Sequence, residues 1–339
     1  MKAAILLEKN KPIYVDDVQL PKKLLFGQVK IKTVTSGLCG AQLQEISGLK
    51  NNEQFMPHLI GHEGCGLVEA VGEGVKKVKK GDKVVMHWRK GSGLEADFAK
   101  YQWHDKEISG GKVVTLAENV VVSENRITLV DKETDDEFCA LLGCGLSTGF
   151  SVVNKDANIK FGESVLVVGC GGVGLSCIQA AGLSLAGPIV GIDINEAKKM
   201  MVENLGAEFY SPVNVEKLIE SKIKFDCIID TTGILSFVSR LIPLLSNQGR
   251  CILVSQPKPG SQLTISDPIS FFSNNGQTIR TTQAGNFDPD IDIPRYIKLY
   301  KNKKINIKSL VTDRYDIFNI NEAVTKLKTG ESGRIIINF

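Results

Sequence analysis

The stretch of sequence that decides the fold is Val165-Leu166-Val167-Val168-Gly169-Cys170-Gly171-Gly172-Val173-Gly174. Its apolar first part predicts a buried parallel strand, and the G-x-G-x-x-G motif predicts a tight turn that opens a helix. A second apolar run, 189–192, ends on Asp193, 19 residues after the last glycine of the motif. Strand, turn, helix, strand and acid in this order predict a dinucleotide-binding unit, because a pyrophosphate rests on the helix N-terminus while the acid binds the ribose. The alternative is a glycine turn inside some other α/β fold.

The end of the second strand also predicts which dinucleotide binds. A carboxylate there accepts hydrogen bonds from both ribose hydroxyls and repels a 2′-phosphate. Asp193 is followed by Ile194 and Asn195, and no arginine stands there to bind the phosphate of NADP. We therefore predict NAD as cofactor. The motif glycines expected to contact it are Gly169, Gly171, Gly172 and Gly174.

Composition bounds the class of protein. At 339 residues the chain is longer than one hydrophobic core usually grows, so two domains are expected. The net charge of +3 indicates neither nucleic acid nor an anionic membrane as partner, and no apolar run approaches the ~20 residues that span a bilayer. Eight cysteines without a disulfide-like spacing indicate a reducing compartment, so a cytoplasmic protein is predicted.

Two patterns follow one another along the chain. The first ~150 residues lack strand–helix alternation and predict a β-rich, partly barrel-like domain. Its strand candidates are 3–7, 13–18, 28–35, 67–71, 83–86 and 119–122. From about Gly162 strands (165–168, 189–192, 225–230, 250–255) alternate with helices (197–205, 235–245). After Thr282 come helices 293–300 and 320–328 and a strand, 334–339. This order predicts a nucleotide-binding domain inserted into a discontinuous β-rich domain, with a cleft between the two.

Three residues in glycine-flanked turns are candidates for a metal site: Cys39, His62 and Cys144. Three nitrogen or sulfur ligands from distant loops leave zinc one open position, as in a catalytic site. Two thiolates cancel the formal charge of the ion, which still polarises a bound oxygen as a Lewis acid. By spacing alone the interpretation stays open, because a buried free cysteine is usually a small hydrophobic residue.

The two halves together resemble the zinc-containing alcohol dehydrogenases of the medium-chain dehydrogenase/reductase superfamily, over essentially the whole chain. The marks of the resemblance are Gly61-His62-Glu63 with the glycines up to Gly72, Gly81-Asp82-Lys83-Val84-Val85, the Cys144 loop with Thr148-Gly149, the dinucleotide motif, and Gly330-Glu331-Ser332-Gly333-Arg334. The resemblance implies an α/β fold with a GroES-like β-rich catalytic domain, residues 1–145 and 283–339, and a Rossmann doubly wound parallel-sheet domain, residues 146–282.

The resemblance also implies a reaction and a set of roles. The reaction is reversible hydride transfer between an alcohol and the nicotinamide of NAD, giving a ketone or aldehyde. Zinc ligands would be Cys39, His62 and Cys144, and Glu63 would either contact these ligands or bind the ion transiently. The implied cofactor contacts are Asp193 and Lys198 at the adenosine ribose, Arg334 at the pyrophosphate, and Val173 and Thr148 at the nicotinamide. Edge strands at 263–265 and 278–281 would pair with a partner's sheet, so a homodimer is expected.

The chain departs from the family at several positions. It has no cysteine between Cys65 and Cys139, where relatives with a structural zinc carry four, so one catalytic zinc and no structural zinc is predicted. Ala41 replaces the hydroxyl residue that begins a proton relay in many relatives, and Gln44 replaces a common relay histidine. Gln42 replaces the acid that orients the ligand histidine, so the metal site should be more electron-poor than in relatives.

The resemblance implies that the segment 86–88 lies along the substrate pocket. His87 is either a general base that titrates near the working pH or a residue that packs beside Trp88. Arg89, with Lys90, either clamps a phosphate or carboxylate or forms a solvent-facing turn. Trp88 either belongs to the core or stacks on a sugar ring. These residues favour a polyol, sugar or sugar-phosphate substrate.

Two other functions compete with this interpretation. A zinc-free relative of the quinone or enoyl reductase kind is disfavoured, because all three ligand positions and Glu63 are filled. A nucleotide-binding member that has lost catalysis is favoured only by the changes at Ala41 and Gln42.

Overall fold

The computed structural model describes residues 1–50, 53–273 and 276–339. Contacts divide the chain into unit 1, which comprises Met1–Ser147, Asp288–Lys303 and Val311–Phe339, and unit 2, which comprises Thr148–Phe287 and Lys304–Leu310. The units divide after residues 147 and 287, whereas the domain boundaries predicted from the sequence lie after residues 145 and 282. Residues 304–310, which that interpretation gave to the β-rich domain, belong to unit 2, where Gln179 Nε2 donates to the Asn306 carbonyl oxygen.

The secondary structure of the described residues follows the chain as two series. The strands are β1 Lys2–Leu6, β2 Tyr14–Asp17, β3 Gln28–Leu38, β4 His58–Leu59, β5 Glu63–Val71, β6 Lys83–His87, β7 Lys100–Trp103, β8 Lys106–Ser109, β9 Asn119–Ser123, β10 Ile127–Val130, β11 Val165–Val168, β12 Ile189–Ile192, β13 Glu208–Tyr210, β14 Phe225–Asp230, β15 Leu245–Leu253, β16 Thr278–Thr281, β17 Val311–Asp316 and β18 Arg334–Asn338. The α-helices are α1 Gly40–Ile46, α2 Asp136–Leu142, α3 Gly145–Ser151, α4 Gly172–Leu183, α5 Lys199–Glu203, α6 Val215–Glu220, α7 Leu235–Leu241, α8 Pro268–Ser273, α9 Pro289–Lys301 and α10 Ile320–Lys328.

Unit 1 is built on two mostly antiparallel sheets. Their strand orders are β2-β1-β4-β8-β7 and β10-β6-β5-β3-β18-β17, with β9 also paired to β3. β3 organises the second sheet, because its 11 residues pair with β5, β9 and β18. Its side chains alternate, so Val29 and Ile31 enter the core while Lys32 faces outward. The pattern of short strands thus produces the β-rich unit expected from the sequence.

Unit 2 is a single parallel sheet of six strands in the order β13-β12-β11-β14-β15-β16. Numbered within the unit, this is the 3-2-1-4-5-6 order of a dinucleotide-binding fold, whose order reverses between its first and fourth strands. The glycine motif follows β11, directly at this reversal. The predicted doubly wound domain is confirmed.

One predicted strand is wrong. Residues 263–265 form no strand, whereas β16, at 278–281, lies at the edge of the sheet as expected. The backbone N–H of Thr264 donates to the Ser239 hydroxyl of α7 at 2.8 Å, and a side chain therefore takes the donor that a strand ladder would use. The apolar residue Leu263 packs against the core of unit 2 instead.

No single helix among the described residues is long and apolar enough to cross a membrane. One bent pair, Asp136–Leu142 with Gly145–Asp156, passes the test by length and composition alone.

The segment after β6, where related proteins with a structural zinc carry cysteines, is held by Glu124. The carboxylate of this buried residue accepts three backbone N–H bonds, from Lys76 at 2.6 Å, Lys77 at 2.7 Å and Leu94 at 2.8 Å. Such charge-assisted bonds are among the strongest in proteins. Glu124 therefore fastens two loops of unit 1 to the end of β9.

A second contact holds the same segment. Arg126 Nη1 donates to the Trp88 carbonyl oxygen at 2.5 Å, and its Nη2 pairs with Glu95 at 3.2 Å. Asn125 Nδ2 also donates to Glu95. We call Glu95, Glu124, Asn125 and Arg126 the loop clamp. It gives the segment after β6 a polar anchor made of side chains.

The loop clamp yields the first prediction. Glu124→Gln leaves one acceptor oxygen for three backbone donors, so at least one partly buried N–H loses a bond to a charged acceptor, at about 1–3 kcal/mol. We expect hydrogen exchange in peptides covering 74–78 and 92–96 to accelerate by about 10- to 100-fold. The matched control is Glu69→Gln, which breaks only a half-exposed ion pair with Lys30. Equal exchange in both variants would contradict the clamp.

Candidate metal centre and dinucleotide loop

Unit 1 brings together three side chains that can ligate a metal. The ligand atoms of Cys39, His62 and Cys144 all lie within 4.8 Å of one another. Cys39 is the N-cap of α1, directly after β3, His62 immediately precedes β5, and Cys144 connects α2 to α3. Gly61 has a φ of +107°, so a left-handed turn that favours glycine aims His62 at the two cysteines. Strand ends thus place all three ligands.

The donor set fits zinc. Both sulfurs are buried, and His62 Nε2 is a buried ring nitrogen without a hydrogen-bond partner among the described residues. A buried polar atom left unpaired is costly, and a metal ion would satisfy it. Two thiolates and one imidazole are typical of a zinc site with an open fourth position. The three residues that the sequence predicts as ligands are therefore the ones that fit this ion.

The two thiols of the site differ in acidity. A hydrogen bond from Cys144 holds the pKa of Cys39 well below its usual range, with further help from His62 and Arg334. The same hydrogen bond, together with burial, raises the pKa of Cys144. A metal binds cysteine as the thiolate, so it must displace any proton that the pair still carries when it binds.

Glu63 lies beside the ligands and is engaged elsewhere. Its Oε2 accepts the Gly145 N–H at 2.9 Å, and its Oε1 accepts a hydrogen bond from Arg334 Nη2. Burial raises the pKa of Glu63, and the guanidinium only partly opposes this. Glu63 is not one of the three residues whose ligand atoms lie within 4.8 Å of one another, so its implied role as a transient ligand stays a prediction.

Arg334, at the start of β18, lies inside unit 1. The residue is 3% exposed, and its guanidinium faces Glu63. Burial alone would lower the pKa of Arg334, but the negative groups of Glu63, Cys39 and Cys144 raise it above its ordinary value. In this structure the positive charge of Arg334 lies beside the metal ligands and pairs with Glu63. The contact with a pyrophosphate stays a prediction.

His87, the last residue of β6, is a core residue. Its ring is fully buried, Nδ1 donates to the Arg89 carbonyl oxygen at 2.6 Å, and Nε2 lies 3.0 Å from the Thr128 hydroxyl. Burial lowers the pKa of His87 to about 4, so the ring is neutral near pH 7 with both nitrogens engaged. The structure favours the packing interpretation and corrects the prediction that His87 transfers the proton.

The remaining substrate candidates are placed as follows. Trp88 is half-buried, with its carbonyl oxygen bonded to Arg126, and Lys90 pairs with Glu95 at 3.3 Å. Arg89 is half-buried, and its proposed role in binding an anion stays a prediction. Ala41 lies in the first turn of α1, two residues after Cys39, and offers only a methyl group there.

Gln42 links two of the metal ligands. Its side-chain Oε1 accepts the Cys39 backbone N–H at 2.9 Å, and its Nε2 lies 2.5 Å from His62 Nδ1. The residue is fully buried. Gln42 therefore contacts the ring nitrogen of His62 that faces away from the sulfurs, as an orienting residue does.

In unit 2 the glycine motif forms the turn that its spacing predicts. Gly169 has a φ of +88°, and Gly171 is the N-cap of α4. A Cβ on Gly174 would overlap the Gly169 carbonyl oxygen, so only glycine allows the helix to approach the strand this closely. Gly172 and Val173 form the first turn of α4, half-buried. The backbone geometry suits a phosphate at a helix N-terminus.

Asp193 is oriented toward the same loop. Its Oδ2 accepts the Cys170 N–H at 2.7 Å, and its Oδ1 accepts the Asn195 N–H at 2.9 Å. Lys198 is 1% exposed in the following 3₁₀ turn. Thr148 is buried on α3, and the adjacent Gly149 packs directly on α4. Contacts of these residues with a cofactor stay predictions.

Sequence reasoning missed Thr231, which supports the glycine loop. Its hydroxyl donates to the carbonyl oxygens of Val168 at 3.1 Å and Gly169 at 2.9 Å. Thr231 directly follows β14, the strand next to the point where the strand order of the sheet reverses. A hydroxyl residue at that place in the sequence is the signal that could have identified it.

The fold and the site define a class of protein in which one chain contains both a metal site with two thiolates and a dinucleotide-binding fold. Two family models match this chain, the alcohol dehydrogenase GroES-like domain over residues 26–132 and the zinc-binding dehydrogenase domain over residues 172–302. The first confirms the predicted GroES-like character of unit 1.

Whole-length relatives agree with these matches. Alcohol dehydrogenase 6 of Peromyscus maniculatus is 29% identical, and the match covers 99% of this chain and 97% of the relative. A zinc-binding-domain alcohol dehydrogenase from Burkholderia ambifaria is similar with a TM-score of 0.90 at 24% identity, covering 100% of this chain and 98% of that one. A short-chain alcohol dehydrogenase from Escherichia coli CFT073, complexed with the cofactor NADH, is similar with a TM-score of 0.80 at 19% identity, covering 100% of this chain and 99% of that one. The chain belongs to the zinc-containing alcohol dehydrogenases of the medium-chain dehydrogenase/reductase superfamily, a family of oxidoreductases.

The ligand assignment predicts the effect of one substitution. Cys39→Ser replaces a thiolate by a hydroxyl that is not ionised near neutral pH, so zinc content measured by mass spectrometry should fall well below that of the wild type. Any alcohol-dependent NADH formation should fall with it. Cys251→Ser, at a buried cysteine of unit 2, is the control and should keep its zinc. Full zinc content and activity in Cys39→Ser would remove the assignment.

The pKa of His87 predicts how stability depends on pH. Because its folded value of about 4 lies below the 6.5 of a free histidine, the unfolded chain binds more protons between these values. Stability from this group is complete above pH ~6.5 and is lost as pH falls toward 4, by up to about 3 kcal/mol. His87→Gln should remove this part of the pH dependence in urea unfolding. Parallel pH profiles for both proteins would contradict the buried, neutral histidine.

Proposed function

We propose that this chain is an NAD-dependent, zinc-dependent dehydrogenase that interconverts an alcohol with its ketone or aldehyde by hydride transfer. The observation that carries the proposal is the group of Cys39, His62 and Cys144 in a member of the zinc-containing alcohol dehydrogenases. Both sulfurs are buried, and the His62 Nε2 atom has no hydrogen-bond partner among the described residues. The open fourth position of such a site is where a substrate oxygen binds. Zinc held there would act as a Lewis acid toward that oxygen.

The residues around the ligands prepare the site for this chemistry. Two thiolates offset the charge of the ion, and the buried ion pair of Glu63 and Arg334 adds no net charge beside them. Ala41 supplies no hydroxyl to receive the substrate proton, and His87 is fully engaged in the core. We therefore propose that the proton leaves without the side-chain relay of many relatives.

The cofactor assignment rests on unit 2. The turn after β11 places Gly171 at the N-terminus of α4, and Asp193 follows β12 with its carboxylate oriented by two backbone N–H groups. A carboxylate at this point favours NAD over NADP. The relative from Escherichia coli binds NADH, which supports the same choice.

Metal content, assembly and location complete the proposal. One zinc per chain is proposed, because the loop clamp fastens the segment in which relatives carry cysteines for a structural ion. A homodimer is proposed through the edge strand β16. All eight cysteines are free in the structure, which supports a cytoplasmic location.

The substrate class rests on Arg89. A half-buried guanidinium three residues after the buried strand residue Met86 would bind a phosphate or carboxylate bidentately. We propose a polyol or sugar alcohol, with an anionic group for Arg89 to bind. A neutral alcohol is the second candidate, since Lys90 next to it is already paired with Glu95.

One experiment tests the proposed reaction. Protein of known zinc content is assayed for NADH absorbance with paired polyols, each free and phosphorylated, and with NADP in place of NAD. We expect NAD to be preferred, and Arg89→Gln to reduce activity with the phosphorylated member about 10-fold or more, since the lost charged contact is worth about 1.5–3 kcal/mol. Lys90→Gln is the matched control.

Other outcomes of this experiment assign the chain differently. Activity that survives complete removal of zinc would indicate the quinone or enoyl reductase kind. Binding of NAD and zinc without turnover of any alcohol would indicate a member that has lost catalysis. Equal turnover of free and phosphorylated polyols in both variants would remove Arg89 from the substrate site.

A further inference from the structure

The side-chain amide of Gln42 has one acceptor oxygen. Once a metal is bound, two donors would face it, the Cys39 backbone N–H and the His62 ring N–H. In this structure its Oε1 accepts the Cys39 backbone N–H at 2.9 Å. A backbone N–H can only donate, so the amide orientation is fixed by this bond. The amide nitrogen therefore faces His62 Nδ1 at 2.5 Å. An amide nitrogen can only donate, so Nδ1 accepts and the ring proton resides on Nε2.

This arrangement conflicts with metal ligation. The nitrogen directed at the two sulfurs is Nε2, since Nδ1 is occupied by Gln42. A ligand nitrogen needs its lone pair, so in a neutral ring the proton must move from Nε2 to Nδ1. The Nδ1–H would then point at the amide NH₂, donor against donor. The ring as a whole neither gains nor loses a proton in this change of tautomer.

A half-turn of the Gln42 amide satisfies His62 but moves the missing acceptor to Cys39. Rotation by half a turn places Oε1 against His62 Nδ1–H and leaves the Cys39 N–H facing the amide nitrogen. One of the two donors is unsatisfied in either orientation, and both Gln42 and its bond to the Cys39 N–H are buried, where water compensates poorly. A carboxylate at this position would accept from both donors at once. Gln42 therefore favours the metal-free arrangement of the site.

We infer that zinc binding reverses the Gln42 amide together with the His62 tautomer, and that this side chain sets the zinc affinity below the value a carboxylate would give. Gln42 is thus a positioning residue that acts through His62. The site loads and releases zinc more readily as a result, so its occupancy follows the zinc concentration. The inference rests on the proposed function only in taking zinc as the metal.

The wild-type protein tests the tautomer directly. In full-length protein labelled with ¹⁵N-histidine, long-range ¹H–¹⁵N spectra distinguish a ring with Nε2–H from one with Nδ1–H. His62→Gln assigns the signals. We expect Nε2–H in chelator-treated protein and Nδ1–H after zinc is added. Nδ1–H in the metal-free protein would overturn the inference. If His62→Gln does not fold, substitution of the other three histidines, one at a time, assigns the His62 signals by elimination.

Zinc affinity gives the second readout. Gln42→Glu keeps the shape of the side chain and supplies two acceptor oxygens, so competition with a chromophoric zinc chelator should show about 10- to 100-fold tighter binding. Gln44→Glu is the matched control, because it adds the same charge to the same helix without a bond to either ligand. We expect it to change the affinity less than about threefold. Equal shifts in the two variants would overturn the inference, since charge alone would then explain them.

The two proposals fail in different ways. Zinc binding with the expected change of tautomer, but without NADH formation from any alcohol, would remove the proposed function and leave the role of Gln42 intact. NADH formation with an unchanged tautomer and an unchanged Gln42→Glu affinity would do the reverse. A chain that binds no zinc at micromolar concentrations would overturn both.

Discussion

The buried ion pair between Glu63 and Arg334 is the interaction on which unit 1 depends. The two residues are 271 positions apart, so the pair joins the end of the chain to its first third. Glu63 is adjacent to His62, its other oxygen binds the N–H of Gly145 next to Cys144, and Arg334 opens the strand that pairs with β3 just before Cys39. Glu63 thus contacts the surroundings of two metal ligands, and Arg334 those of the third. Removal of one charge would leave the other buried and unpaired, at about 3–5 kcal/mol.

The parallel sheet was the most predictable part of the molecule. Strands 165–168, 189–192 and 225–230 were predicted with the bounds that the structure shows, because strands covered on both faces are near-continuous apolar runs. In unit 1, β3 extends to Leu38, three residues beyond the prediction. Polar residues such as Thr35 and Ser36 hide this extension in the sequence, since they pair with β5 and β18 rather than end the strand.

The site was less accessible to sequence reasoning. Nothing in the spacing of Cys39, His62 and Cys144 shows that they meet, because their proximity results from the antiparallel pairing of β3 with β5 and from the loop between α2 and α3. Family resemblance supplied the grouping. Resemblance also misled at His87, because a position in the alignment does not say which way a strand residue faces. All five residues of β6 are buried, so alternation gave no warning either.

We propose that the loop clamp, and not a structural zinc, fastens the segment after β6. A structural zinc makes a loop depend on metal supply and on reduced cysteines, whereas Glu124 makes it depend on pH. Burial alone would raise the pKa of Glu124, but three backbone N–H donors outweigh it and hold the pKa below its usual range. The stability that this carboxylate contributes is therefore complete above its unfolded pKa near 4.5 and is lost as pH falls further. Near neutral pH the clamp is fully charged and independent of zinc. We have inferred that Gln42 weakens the hold on the catalytic ion, and we therefore expect unit 1 to keep its fold when that ion is lost.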